Sequence, residues 1–133
     1  MPGEFAHITA KDANNGWESS SHVWTERGNV ISIGDFGGGA FYQKINFATS
    51  SYHLEKLWPK RKELNKYAAL FITTILNFGV DKYSWGRLRS LSELKKEKII
   101  LPVDKSGVID WDYIEKMMKN LHNGIIDKFL ENH

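Results

Sequence analysis

Residues 64–78 constrain the fold most, because their apolar side chains recur at helical spacing and the other side of the same helix is barely polar. A helix that is apolar on most of its surface has to be buried, and a chain of 133 residues can form one core around it. Gly79 follows directly and is typical of a helix end. The apolar face consists of Leu64, Ala68, Phe71, Ile72, Ile75 and Leu76.

Short strands are predicted before and after this helix in the sequence. Runs of apolar or aromatic residues that are bounded by polar residues or glycines are typical of strands. Such runs occur at residues 6–9, 30–33, 40–43 and 99–103. Pro102 lacks an amide hydrogen, so we expect the last of these strands to lie at the edge of a sheet or to end there.

Two more helices are predicted from their caps. Ser92 is predicted to cap a short helix, and Asp110 a C-terminal helix that starts at Trp111. Together the elements predict an α+β (mixed α/β) fold, in which short strands surround a buried helix and a C-terminal helix follows. We expect the domain at residues 6–110, the exit or docking helix at residues 111–133, and a tag or non-native start at residues 1–5.

The charges are unevenly distributed, although the net charge is only +2. Residues 52–105 hold twelve Lys and Arg against six Asp and Glu, whereas residues 1–51 and 106–133 each hold three against five. A basic stretch of this kind can form a surface that faces phosphates. The alternative is a solvated face whose cations pair with the acidic ends, and the composition favours neither.

Residue types and spacing argue against most catalytic and metal-binding chemistry. The chain has no cysteine, which excludes disulfides, a thiolate zinc site and a cysteine nucleophile. Its five histidines include no pair at metal-ligand spacing, so we predict neither a metal nor a cofactor. The glycine loop at residues 34–39 lacks the lysine, hydroxyl residue and helix that follow a phosphate-binding loop. Neither a membrane span nor a secretory signal is visible, so we expect a cytoplasmic protein.

The run at residues 81–89 alternates cations with aromatic and small polar residues. Lysine and arginine neutralise phosphates, arginine can bind a guanine edge, and aromatic rings stack on bases. The run therefore suits a nucleic-acid surface. The alternative is a folded loop in which Tyr83 and Trp85 pack inward and only the cations are exposed.

A series of short motifs runs along residues 6–121. In chain order they are HITAK (7–11) with NNG (14–16), GNVISIG (28–34) with AFYQ (40–43), NKYAALF (65–71), KYSWGR (82–87), LKKEKIILPV (94–103) and DWDYIE (110–115). Together they resemble the target recognition domain of the DNA-specificity subunits of type I, and type I-like type IIB, restriction-modification systems.

The resemblance implies a non-catalytic protein of a restriction-modification system. It implies binding to double-stranded DNA, where the domain reads half of a bipartite sequence and positions an adenine methyltransferase subunit and, where present, a restriction subunit. By this resemblance, we expect the usual opening of the domain before His7 to be missing or replaced and one recognition domain to be present. We therefore expect half of a specificity subunit, a truncated or silent cassette, or the recognition part of a larger protein, with a homodimer or a second specificity half as a further partner.

Two loops and one cluster of cations are predicted to contact DNA. Asparagine can form paired hydrogen bonds to an adenine edge, and the cations can bind phosphates. An equally supported role for the two asparagines is to form a turn, since Asn-Gly tolerates positive φ. The predicted contact residues are Lys11, Asn14, Asn15, Lys60, Arg61, Lys62, Lys82, Tyr83, Arg87 and Arg89.

The C-terminal helix is predicted to dock a partner rather than to read DNA. It is net acidic, and its apolar stripe is longer than a small core needs, which favours pairing with a second chain or with further helices. The stripe consists of Ile114, Met117, Met118, Leu121, Ile125 and Phe129.

Two other functions stay open at the level of sequence. Asp81, Glu93 and Lys95 fit the layout of a small Mg²⁺-dependent nuclease, although Ser92-Glu93 is explained as a helix start. An interaction domain without a nucleic-acid role would leave the basic stretch merely solvated.

Overall fold

A computed structural model describes residues 3–11, 14–35, 39–50, 53–60, 62–83 and 88–131, the side chains of Lys82, Phe129 and Glu131 excepted. These residues form a mixed α+β fold with a C-terminal helix, which confirms the predicted class. The strands are β1 (Phe5–Ile8), β2 (Trp17–Ser21), β3 (Val30–Gly34), β4 (Ala40–Gln43) and β5 (Leu54–Leu57). The α-helices are α1 (Lys66–Phe78), α2 (Leu91–Leu94) and α3 (Trp111–Glu131). A single 3-10 turn lies at Val80–Lys82, and a turn with positive φ angles lies at Asn14–Gly16.

The strands form two antiparallel sheets. In one, β1 pairs with β2. In the other, β3 lies between β4 and β5. All of β3 is buried, and Ile31 and Ile33 on this strand are fully so. Because β3 is the central strand and is covered on both faces, it accommodates the apolar side chains of Val30, Ile31 and Ile33 on either face.

Helix α1 covers the three-stranded sheet and forms the core with it. Asn65 caps the helix, because its side-chain oxygen accepts hydrogen bonds from the amides of Tyr67 and Ala68. Ala68 and Ala69 are fully buried against the sheet, and Phe71 and Ile75 are half-buried. The helix begins two residues later than predicted and ends at Phe78, where Gly79 is the cap.

The predicted strand at residues 99–103 is wrong. Its backbone forms only an isolated bridge between Val103 and Ile109 within the described chain, and Ile100 is 92% exposed. Pro102 cannot donate to a ladder, and the third place in the sheet is taken by β5. Sequence reasoning missed β5 because charged side chains occupy its two central positions, Glu55 and Lys56.

The cap of α2 also differs from the prediction. Ser90 rather than Ser92 caps it, and the Ser90 hydroxyl accepts the amide of Glu93 at 3.4 Å. By contrast, Asp110 caps α3 as predicted, since its Oδ1 accepts the amide of Tyr113 at 3.1 Å. None of the helices in the described part of the chain combines the length and the hydropathy of a transmembrane span.

Helix α3 is fastened to the start of α1 through one carboxylate. Glu115 accepts a hydrogen bond from the Asn65 side chain and pairs with the ammonium group of Lys62. Burial alone would raise the pKa of Glu115, but the bonds from Lys62 and Asn65 and the charge of Lys62 together lower it below its ordinary value. About two turns further along α3, the rings of His122 and Tyr67 meet edge to face, with 6.3 Å between their centres.

Candidate nucleic-acid interface

Three consecutive residues of the first predicted DNA loop adopt the left-handed conformation. The φ angles are 54° for Asn14, 57° for Asn15 and 78° for Gly16. Asparagine and glycine tolerate this region better than other residues do, so the predicted turn role of the asparagines is supported. The turn joins the loop after β1 to the start of β2 and leaves both asparagines exposed.

The turn is held by a buried glutamine of β4. Gln43 is 6% exposed, and its Nε2 donates to the carbonyl oxygen of Asn15 at 2.9 Å and to the Ser32 hydroxyl at 3.1 Å. In return, Asn15 Nδ2 donates to Gln43 Oε1 at 3.2 Å and to the carbonyl of Tyr42 at 3.3 Å. The side-chain amide of Asn15 therefore stabilises the turn against β4. The side chain of the neighbouring Asn14 is exposed on the same turn.

The second predicted loop is only partly described. Lys82 lies in the 3-10 turn Val80–Lys82, and its side chain is outside the described part of the chain, as are residues 84–87 with Arg87. Tyr83 and Arg89 are described and are buried, at 7% and 0% exposure. Their burial removes both from the predicted DNA-contact residues.

Arg89 has a structural role instead. Its guanidinium donates to both carboxylate oxygens of Glu97, at 2.7 and 3.1 Å, and to the carbonyl of Leu76 at 3.1 Å. The same group lies over the ring of Tyr83, 4.9 Å from its centre. A buried guanidinium is tolerated only when it is paired in this way. The alternative in which Tyr83 packs inward therefore describes this residue correctly.

The cation cluster at residues 60–62 divides in a similar manner. Lys60 is exposed, and Arg61 lies outside the described residues. Lys62 pairs with Glu115 and lies 5.7 Å from the centre of the Trp111 ring, so it connects α3 to the loop before α1. Lys62 is therefore engaged within the protein, whereas Lys60 faces solvent.

Two lysines that the sequence did not single out lie beside the asparagine turn. Lys44 follows β4, Lys66 opens α1, and both line one hollow together with Asn15. A single lysine at the end of a strand or at the start of a helix carries no sequence signal. Only the packing of α1 on the sheet brings the two together.

The predicted docking stripe of α3 is partly buried in this domain. Ile114 is fully buried and Met117 and Met118 are half-buried, so Ile114 belongs to the core and is removed from the docking residues. Leu121 and Ile125 are 55% and 69% exposed. The Phe129 side chain lies outside the described part of the helix, and two unpredicted residues, Ile126 and Leu130, are also exposed.

The residues of the nuclease alternative belong to no cluster of candidate metal ligands among the described residues. Asp81 is exposed in the 3-10 turn, and the Glu93 carboxylate lies 3.8 Å from the Lys96 ammonium. Within the described ranges, no group of three or more His, Asp or Glu side chains is placed to hold a metal ion. Glu93 has its place in the first turn of α2, where a carboxylate complements the helix dipole.

Comparison with known proteins shows the family to which the chain belongs. Residues 2–131 match the family of the Type I restriction modification DNA specificity domain, and the chain belongs to that family. It is 27% identical over 136 residues to the type II restriction enzyme BgcI specificity subunit S.BcgI of Heyndrickxia coagulans. The alignment covers 98% of this chain and 39% of that relative, so the chain spans about two fifths of its length. No solved structure matches the chain.

Proposed function

We propose that this domain recognises one half of a bipartite double-stranded DNA sequence on behalf of a restriction-modification system. The observation that carries the proposal is the exposed, left-handed turn of Asn14 and Asn15, which Gln43 fixes from the buried side. Membership of the specificity-domain family supports the same conclusion. A side chain that reads a base edge has to be held in place before DNA arrives, and this turn meets that requirement.

In this proposal, readout and affinity come from different residues. Asn14 offers both a donor and an acceptor, which is the pair that an adenine presents in the major groove. Lys11 precedes the turn and is exposed, and Lys60 is exposed on the loop before α1, so both can bind phosphates. Phosphate contacts set the position of the protein on the duplex, and base contacts set the sequence.

The domain acts without catalysing a reaction and works in the cytoplasm beside its DNA. It positions an adenine methyltransferase subunit and, where one is present, a restriction subunit. Helix α3 docks a second specificity half, because Leu121 and Ile125 lie one helical turn apart and are exposed. The recognition domain extends over residues 6–110, and α3 begins the docking part of the chain.

A binding-site selection with the chain and its methyltransferase subunit tests the proposal. We expect enrichment of one short half-site from a pool of random duplexes, with the same half-site recovered from independent pools. Two results would contradict the proposal. One is cleavage of plasmid DNA by the purified chain that requires Mg²⁺. The other is absence of any DNA binding at low salt while a protein partner is still captured.

A further inference from the structure

A hollow of about 490 Å³ lies between the asparagine turn, β4 and α1. Asn15, Lys44 and Lys66 line it together with the apolar surfaces of Phe41 and Tyr42. Among the residues that the structure describes, no aspartate or glutamate lines it. The hollow is therefore positive, and this charge arises from two separate elements of the fold.

The two lysines are free to bind an anion. Both are exposed, and neither forms an ion pair with any residue that the structure describes. The Lys66 ammonium lies 5.7 Å from the centre of the Tyr67 ring, which leaves its hydrogen-bond donors available. By contrast, the Lys56 ammonium lies 2.8 Å from Glu26 Oε1, which neutralises its charge. Both of these residues line a different hollow.

The backbone positions of these lysines are fixed relative to the asparagine turn. The turn is tied to β4 through Asn15 and Gln43, and Lys44 is the next residue after that strand. Helix α1 is tied to the start of the same strand, since the Asn77 side chain accepts the amide of Ala40 at 2.7 Å and donates to its carbonyl at 3.0 Å. These hydrogen bonds therefore connect the turn, Lys44 and α1 with Lys66 to one strand.

We infer that this hollow seats the DNA backbone, with Lys44 and Lys66 bound to phosphates that flank the base pair faced by Asn14. The inference rests on the proposed function and adds two contact residues to it. A polyanion suits a surface where cations from two elements converge and no described lining residue is a carboxylate. The exposed turn beside it favours DNA over an acidic protein segment. The apolar rings of Phe41 and Tyr42 offer a surface on which deoxyribose can pack.

The experiment compares single and double lysine variants in salt-dependent titrations of a mixed-sequence duplex. Each of Lys44→Ala and Lys66→Ala should weaken binding and flatten the slope of log K against log salt by about 0.9, and the double variant by about twice that. Lys105→Ala is the matched control, because Lys105 is an exposed lysine that does not line the hollow. Thermal midpoints should be equal for all four variants.

Direct placement provides a second readout that does not depend on affinity. Since the chain has no cysteine, Lys44→Cys, Lys66→Cys and Lys105→Cys each create one site for a photo-crosslinker. Crosslinks to the duplex should form from positions 44 and 66 and not from position 105.

The outcomes separate this inference from the proposed function. If the unmodified protein binds no duplex at low salt, the proposed function fails. If it binds and Lys60→Ala flattens the salt slope while Lys44→Ala and Lys66→Ala do not, only the inference about the hollow is overturned. Loss of methyltransferase-subunit binding with unchanged DNA binding would also overturn it, because the hollow would then be a protein contact.

Discussion

The guanidinium of Arg89 is bonded through Nε and Nη2 to the two carboxylate oxygens of Glu97, at 3.1 and 2.7 Å. Because Nη2 also donates to the carbonyl of Leu76, this pair connects the end of α1 to the segment that follows α2. The Arg89 side chain is 1% exposed and that of Glu97 16%. The positive charge of the buried Arg89 is therefore neutralised by the less buried Glu97.

Replacing Glu97 with alanine should destabilise the domain by about 3–5 kcal/mol, because it leaves the buried guanidinium without a carboxylate. Urea denaturation measures the change. Lys98→Ala is the matched control, since Lys98 is an exposed neighbour of the same segment. Equal midpoints for the Glu97 and Lys98 variants would show that the pair contributes no stability.

Replacing Gln43 with leucine should lower the free energy of unfolding by about 1–3 kcal/mol. The Asn15 carbonyl would lose a partly buried hydrogen bond and the Ser32 hydroxyl a buried one. The substitution should also loosen the asparagine turn. Faster amide hydrogen exchange at residues 14–17, without a change at α1, would report this local effect. If amide exchange rises equally in the turn and in α1, the substitution destabilises the whole domain. That result would contradict a role of Gln43 that is specific to the turn.

Asn14→Gly removes the side chain while keeping the left-handed backbone, since glycine adopts positive φ readily. If Asn14 reads a base, binding to the selected half-site should weaken by about 1–3 kcal/mol, and binding to a scrambled duplex should not change. Lys60→Ala is the contrasting variant, which should weaken both duplexes alike and flatten the salt dependence. Equal losses on both duplexes for Asn14→Gly would remove Asn14 from the base-reading residues.

The contact between Glu115 and Lys62 predicts a pH dependence of stability. The pKa of Glu115 is lowered in the folded protein, so the contact stabilises fully above the ordinary pKa of 4.5 and is lost as the pH falls through the lowered value. The free energy of unfolding of the protein and of its Glu115→Gln variant should therefore differ most at neutral pH and converge in acid. If the two free energies of unfolding differ by the same amount from neutral to acidic pH, the ionised Glu115 is not the source of the stabilisation.

The sequence predicts those elements of this fold that depend on neighbouring residues in the chain. It does not predict those that depend on pairing with distant residues. Helix α1, β3, β4 and the Asp110 cap follow from periodicity and capping, which are local properties, and the structure confirms them. Strand β5 has no such local pattern, because its place at the sheet edge depends on pairing with β3. The predicted strand at residues 99–103 has the local pattern but no strand of the described chain pairs with it.

The same distinction applies to the candidate interface. The sequence identified the turn of Asn14 and Asn15, because Asn-Asn-Gly is a turn signal in itself. It could not show that Arg89 is buried against Glu97, since a cation in a basic run is equally compatible with the surface. Nor could it bring Lys44 and Lys66 to one hollow, because they lie on a strand end and on a helix start that only packing brings together.

The exposed apolar residues of α3 give the last prediction. Leu121→Ser together with Ile125→Ser should weaken self-association, because both side chains lie on one exposed face of the helix and would be buried against a second specificity half. Sedimentation over a range of protein concentrations measures this. Asn120→Ser with Asn123→Ser is the matched control, since both asparagines are exposed on the same helix. If the serine variant instead assembles normally but no longer binds the methyltransferase subunit, this face docks that subunit, and if neither changes, α3 is not a docking element.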